Sequence, residues 1–293
     1  MKISILIPVY NDWESVSQLV KNIDLEVKDL NHEVSVIIIN DASLEKKELN
    51  FQSLENLNFI ELIDMKQNRG HARCIASGLK YIFEKKDFDY IIPMDGDGED
   101  RPSEIKDFIE YTEYSPNQTI VGERVKRSEN LLFKICYIIH KILTYFFTGK
   151  SIKFGNFTCL TKSTVEKMIN EKASWSSFSG ALTKIEKNRK SIPSIRGTRY
   201  FGPSKMSFLN LIKHSFAIIS VFKINVLIHS ILFLIIYFFL IINDISIVTL
   251  IPIPVVLILN VIFFKLSKRE NLEEYKNCLE NIEDIVELKK NNL

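Results

Sequence analysis

Four carboxylates stand within six residues in "DGDGED" (95–100), at Asp95, Asp97, Glu99 and Asp100, directly after an apolar run that ends at Met94. Like charges this close repel one another, so the stretch calls for a cation or a helix start. An EF-hand calcium loop needs Gly at its sixth position and Glu at its twelfth. Counted from Asp95 those positions hold Asp100 and Lys106, which excludes it. Acids are favoured near a helix N-terminus, which accounts for Glu99 and Asp100 but poorly for Asp95 and Asp97. Mg²⁺ is usually held by one or two carboxylates together with substrate phosphates. In an extended segment, residues two apart point the same way, and Gly96 and Gly98 leave room for backbone approach. The pattern predicts a cation–diphosphate grip on Asp95 and Asp97, with Asp100 tied to the next helix. Glu99 is either a third metal contact or a charge near the helix start.

The elements that must position these groups alternate. Apolar runs at 2–10, 32–41, 57–65, 88–95 and 118–125 predict strands, and helical spacing at 12–23, 71–85 and 102–114 predicts helices between them. Asp12 stands where a helix cap belongs, and Pro102 falls near a first turn, where proline is accepted. Such alternation predicts an α/β domain with a Rossmann-like, mostly parallel sheet covered on both faces. Ligands of such sheets bind outside the carboxyl ends of the strands. The predicted ends read "PVYND", "NDAS", "NRGHAR", "DGDGED" and "GERVKR". Five polar ends in series on one edge predict a site. No G-x-G-x-x-G follows the first strand and no P-loop is present, which removes the standard dinucleotide and NTPase readings.

The formal charge is +2, so the composition gives no case for a nucleic-acid partner. Cys74, Cys136, Cys159 and Cys278 are scattered without metal-type spacing, as in a cytosolic chain with free thiols. Residues 2–9 carry a strand pattern rather than the apolar core of a signal peptide. Two runs, 224–242 and 245–264, contain no Lys, Arg, Asp or Glu, and each has about the ~20 residues that cross a bilayer. Length and lack of charge disfavour buried core helices. Pro252 and Pro254 are expected to bend the second run. Lys205, Lys213 and Lys223 precede the pair and Lys265, Lys268 and Arg269 follow it, so the positive-inside rule predicts a hairpin with both termini cytoplasmic.

The ordered set "IPVYND", "NDAS", "NRGHAR", "MDGDGEDRP" and "GERVKR" resembles the GT-A glycosyltransferases of family 2, with Asp95-Gly96-Asp97 as their D-x-D motif. It is most similar to the polyprenyl-phosphate branch, which contains dolichol-phosphate mannose synthase and bacterial undecaprenyl-phosphate sugar transferases. "RYFGPSK" (199–205) resembles that branch's R-x-x-G-x-S-K motif, "FGNFTCL" (154–160) its G-D-F-R-L element, and the hairpin its bacterial members. The resemblance implies a membrane-tethered, inverting hexosyltransferase of a bacterial inner membrane. Its donor would be a UDP- or GDP-linked nucleotide sugar, and its acceptor a polyprenyl phosphate. It sets Pro8, Tyr10, Asn11 and Asp12 against the nucleoside and Asp41 on the base, and puts Mg²⁺ or Mn²⁺ on Asp95 and Asp97. A lipid monophosphate is already anionic and needs a cationic cradle rather than a base. Arg124, Arg127, Arg199 and Lys205 are the candidates, and Arg suits phosphate through its planar donor fork. The chain departs from the branch at Asn156, where Asp is usual, and at Thr158, where Arg is usual. Two other readings stay open: transfer to a hydroxyl of a lipid-linked glycan, which needs a base that Asn156 does not supply, and a non-catalytic nucleotide-sugar binder.

The segments 131–147 and 207–222 are apolar with few charges and predict helices lying at a membrane surface. The organisation expected is a catalytic domain (1–205), an amphipathic juxtamembrane segment (206–223), the hairpin (224–264) and a helical tail (265–293). In the tail, Leu272, Tyr275, Leu279, Ile282 and Val286 are spaced as in a short coiled coil, which predicts docking on the domain or a homo-oligomer contact.

Overall fold

The computed structural model describes residues 1–45, 49–126, 131–203 and 208–290. The chain runs β1 (Lys2–Val9), α1 (Trp13–Val27), β2 (Glu33–Asn40), β3 (Phe59–Met65), α2 (His71–Lys85), β4 (Tyr90–Pro93), α3 (Glu104–Tyr114), β5 (Ile120–Lys126) and α4 (Leu131–Thr148). It continues as β6 (Phe154–Thr161), α5 (Lys162–Asn170), α6 (Phe178–Ile185), β7 (Lys190–Ile195), α7 (Phe208–Ser220), α8 (Lys223–Ile241), α9 (Ile247–Leu250), α10 (Pro252–Ser267), α11 (Leu272–Lys276) and β8 (Ile282–Lys290).

One sheet of eight strands runs β7-β5-β6-β4-β1-β2-β3-β8. Pairs β1–β2, β1–β4, β2–β3 and β5–β7 are parallel, and β6 and β8 run antiparallel to their neighbours. The carboxyl ends of β1 to β5 and β7 therefore share an edge with the starts of β6 and β8. The central strands β1, β2 and β4 are buried along almost their whole length because both faces are covered. Ile3, Ile5, Ile7, Val34, Val36 and Ile38 pack on the face of α1 and α3, while Leu6, Ile37 and Ile39 pack on the face of α2 and α6.

Proline in β1 is tolerated for a local reason. Leu6 O accepts the Met94 N–H on the β4 side, and Val9 O accepts the Asp41 N–H on the β2 side. Pro8, in phase with Leu6, faces β4 just past the last β1–β4 pair, Leu6–Pro93, so its missing donor breaks no ladder.

Helix α8 and the helical stretch Ile247–Lys276, which contains α9 and α10, are long and apolar enough to cross a membrane, and few of their side chains are buried. Asn260 Nδ2 donates to Ser230 Oγ across the pair at 2.8 Å, a polar tie of the kind found between membrane helices. At the hairpin base Phe147 of α4, Ile219 of α7, Val226 and Phe263 form one buried cluster. The expected bend takes another form. Pro252 occupies the first turn of α10 and the preceding turn is a separate short helix, because proline starts a helix without losing a bond.

The tail corrects the helical expectation. Only five residues form α11, and β8 then pairs with β3 as the sheet's last strand. The three-four spacing gives way to a period of two at Val286 and Leu288, which pack on the core, and β-branched residues suit a half-buried strand. The residues after the hairpin thus complete the sheet. Strand β6, helices α5 and α6, and strand β7 were absent from the expected elements.

Candidate functional site

β4 stops at Pro93, two residues earlier than its apolar run suggests, and 96–100 form a turn rather than the extended segment expected. Asp97 Oδ1 accepts the Glu99 N–H at 3.0 Å and closes that turn. Gly98 takes φ 86°, where glycine has no Cβ to strain. A Cβ at Gly96 would lie 3.0 Å from Pro8 O, so glycine lets the turn cross β1 closely. Asp100 does not serve α3. Its Oδ2 accepts the Asp95 N–H at 2.9 Å, and the group is buried. That burial and the Asp95 charge push its carboxyl up to about 7, against the pull of Arg124.

Asp95 meets two partners from other strand ends. His71 Nε2, at the start of α2, is 3.2 Å from Asp95 Oδ1, and Asn156 Nδ2, at the start of β6, is also at 3.2 Å. Asn156 Nδ2 and His71 Nε2 are 2.7 Å apart. Arg124 packs against Gly155, where a Cβ would lie 2.8 Å from its Nη2. Burial alone would raise the Asp95 carboxyl. The His71 hydrogen bond and charge, with Arg124 and Arg196, outweigh burial and hold it below the usual carboxylate range. Burial lowers the His71 imidazole, and Asp95 outweighs that and leaves it raised. Burial and the Asp95 charge push Asp97 up to about 6, although Arg199 and Arg196 oppose them.

A later segment crosses this turn. Glu104 Oε2 accepts the Ser194 hydroxyl at 2.7 Å and Oε1 the Ile195 N–H at 2.9 Å, which steers the chain leaving β7 over the acidic loop. Gly197 N–H then donates to Glu99 O at 2.7 Å and Tyr200 N–H to Asp97 O at 3.0 Å. Glu99, proposed as a third metal contact or a helix-start charge, pairs with Arg196. Arg199 bridges Asp97, at 2.9 Å, and Asp12. Asp12 therefore makes no side-chain cap on α1, contrary to expectation, because the Arg199 guanidinium takes its carboxylate.

Of the residues assigned to the nucleoside, Asn11 is at φ 50°. Its N–H donates to Ser43 Oγ at 2.8 Å and its Oδ1 accepts the Leu44 N–H at 2.8 Å, which ties the β1 and β2 ends together. Tyr10 is exposed and Pro8 is buried. Asp41 is buried and receives the Arg69 and Gly70 N–H groups at 2.9 and 2.8 Å, so it braces the "NRGHAR" loop. Burial raises its carboxyl, and those two amides and His71 offset part of the shift. Arg127 and Lys205 lie outside the described residues.

The site opens beside the apolar helices. His214 of α7 lies within electrostatic reach of His71, His140 of α4, Asp95 and Arg124; burial first, then those cations, push it down to about 4. His71 and His214 are exposed to solvent in spite of the protein packed around them. Sequence reasoning noted "NRGHAR" and Asn156 but gave His71 no role. Arg196 and His214 carried no local signal.

The donor set suits a hard divalent cation. Asp95 and Asp97 present carboxylate oxygens at this turn, the hard donors a divalent cation prefers, and they are paired here with His71 and Arg199. Among the described residues no three His, Cys, Asp or Glu side chains converge as a metal site. A cation here would complete its shell with ligand oxygens, as Mg²⁺ commonly does.

Similarity searches agree with this architecture. Relatives include the undecaprenyl-phosphate 4-deoxy-4-formamido-L-arabinose transferase of Proteus mirabilis, 27% identical over 219 residues, 72% of this chain and 64% of the relative. The protein of the same name from Photorhabdus laumondii is 28% identical over 219 residues, 72% of this chain and 65% of the relative. The match thus spans less than two thirds of these relatives' length. Among solved structures, glucosyl-3-phosphoglycerate synthase from Mycobacterium tuberculosis, in complex with Mn²⁺, UDP-glucose and phosphoglyceric acid, aligns with a TM-score of 0.55 and 11% identity. That alignment covers 77% of this chain and 79% of the synthase, a likeness of fold. The model of glycosyl transferase family 2 matches residues 4–175, more than half of the chain, and the protein belongs to that family.

Proposed function

We propose that the protein is a membrane-tethered, inverting glycosyltransferase that moves a sugar from a UDP- or GDP-linked donor to a polyprenyl phosphate. The observation that carries this reading is the position of Asp95. It stands among His71, Asn156 and Arg124, within electrostatic reach of His214 on α7, one of the helices that lead into the apolar hairpin. A diphosphate grip and a cationic wall thus meet at the foot of the segment proposed to hold the protein in the bilayer.

Pro8, Tyr10, Asn11, Asp12 and Asp41 border the nucleoside side of the edge. Asp95 and Asp97 would hold Mg²⁺ or Mn²⁺, which supplies charge neutralisation for the departing nucleotide diphosphate. Arg124, joined by His71 and the Asn156 amide, orients the acceptor phosphate. One of its oxygens bonds to the anomeric carbon as the carbon–oxygen bond to the diphosphate breaks, with inversion. The acceptor is already ionised, so Asn156 in place of an acid removes no required base. Arg199, which bridges Asp12 and Asp97 beside the acidic turn, would be placed to bind the donor phosphates. The positive-inside pattern puts both termini and the site on the cytoplasmic side of a bacterial inner membrane.

The test is incubation of purified protein with Mg²⁺ or Mn²⁺, a panel of radiolabelled UDP- and GDP-sugars, and undecaprenyl phosphate. The expected result is label in an acid-labile lipid. Label only in a glycan-bearing lipid replaces the acceptor with a hydroxyl, and donor binding without transfer removes the catalytic reading.

A further inference from the structure

The chain returning from the hairpin lands on the loop between β3 and α2. Asn271 Oδ1 accepts the Glu273 and Glu274 N–H groups, both at 3.1 Å, and starts α11. Tyr275 is fully buried, its ring stacked on Trp175 at 5.2 Å and its hydroxyl donating to Ala76 O at 3.2 Å. These contacts set Glu274 against the first turn of α2. Its Oε1 is 3.0 Å from Arg69 Nη1 and its Oε2 is 3.5 Å from Arg73 Nη2. Arg73 lies over the Trp175 ring at 5.2 Å, and its buried Nε has no hydrogen-bond partner.

The other end of the loop is held by the same tail. Lys66 N–H donates to Asn281 O at 2.7 Å and Asn281 Nδ2 to Gln67 O at 3.0 Å. Between these anchors Asp41 takes the Arg69 and Gly70 amides, and His71, which meets Asp95, follows directly. One carboxylate that has crossed the hairpin therefore pairs with two arginines flanking the turn that carries Gly70 and His71. Without it, two like charges, one in the loop and one in the first turn of α2, face each other unpaired and load that turn.

We propose that Glu274 is a positioning residue of the donor site: by pairing with Arg69 and Arg73 it holds the 66–73 loop against Asp41 and Asp95. This deepens the reading above, on which it rests, and makes the tail part of the nucleotide site. Glu274 touches no reacting atom.

The test uses the full chain in detergent with Glu274→Gln, Glu274→Asp and Arg69→Gln. UDP and GDP binding with Mn²⁺, hydrogen exchange of 66–73 and thermal unfolding are measured. In Glu274→Gln the loop amides exchange faster and nucleotide affinity falls about five- to tenfold, with the melting temperature held. Glu274→Asp recovers part of the affinity, and Arg69→Gln, which breaks the pair from the loop side, repeats the loss. Unchanged loop exchange or unchanged affinity in Glu274→Gln overturns the proposal while wild-type nucleotide binding leaves the donor reading standing. A wild type that binds neither nucleotide overturns both.

Discussion

Two late segments lie on the same sheet edge, and they are held by opposite means. The 196–201 strap is fastened by charge and backbone. Arg196 is on Glu99, Arg199 on Asp97 and Asp12, and the Gly197 and Tyr200 amides on carbonyls of the acidic turn. The 271–290 tail is fastened by buried aromatic surface and by a strand paired along β3. Ion pairs in a partly solvated cleft exchange readily for other ions, whereas a buried ring has no comparable substitute. Arg199 also sits on Asp97, one of the two carboxylates proposed to hold a cation, so on that proposal strap contact and cation binding compete. The tail competes with nothing and acts as a fixed wall.

The comparison is tested most sharply at the turn itself. Asp97→Asn is expected to lower transfer by about 10²–10³-fold or more with the thermal unfolding curve unchanged; full activity in the lipid assay would remove the metal assignment. Next comes the fixed wall. Tyr275→Ala empties a fully buried site and is expected to cost about 3–5 kcal/mol, read by denaturant unfolding in detergent; a loss under ~1 kcal/mol would show the tail to be as loosely held as the strap.

Arg199→Ala removes the competing cation. Mn²⁺ affinity without nucleotide should rise roughly fivefold, about 1 kcal/mol, while transfer falls; weaker Mn²⁺ binding would mean that Arg199 orders the site rather than occupying it. Protons compete as well. With Asp97 near 6 and Asp100 near 7, both raised by burial and by Asp95, Mn²⁺ binding should weaken as pH falls from 7.5 toward 5.5. A pH-independent titration would contradict that. The smallest effect is at the far end of the tail. Lys290 and Glu287 are exposed and 3.9 Å apart, so Lys290→Ala should change stability by less than about 0.5 kcal/mol.

Much of this architecture was legible in the residues. The runs at 2–10 and 32–41 became β1 and β2 with little change, because a strand buried on both faces must be apolar at every position. The helix at 71–85 appeared at those bounds. The polar strand ends converged because parallel strands place like ends on one edge. Local pattern failed where a long-range partner decided the outcome. Asp12 reads as a cap until Arg199, from 187 positions away, takes its carboxylate. Asp100 reads as a helix acid until the turn folds it under the Asp95 amide.

The tail marks the boundary between the two kinds of information. Sequence alone determined the α/β class, the acidic cluster after the fourth strand and two uncharged runs of bilayer length, since each follows from composition and period within one segment. Only the tertiary structure decided that Leu272, Tyr275 and Val286 belong to a short helix and an edge strand rather than a coiled coil, and that Glu274 faces Arg69. The heptad spacing was real but two heptads are marginal alone. The open edge of β3 offered backbone partners and a buried face that an isolated helix could not match.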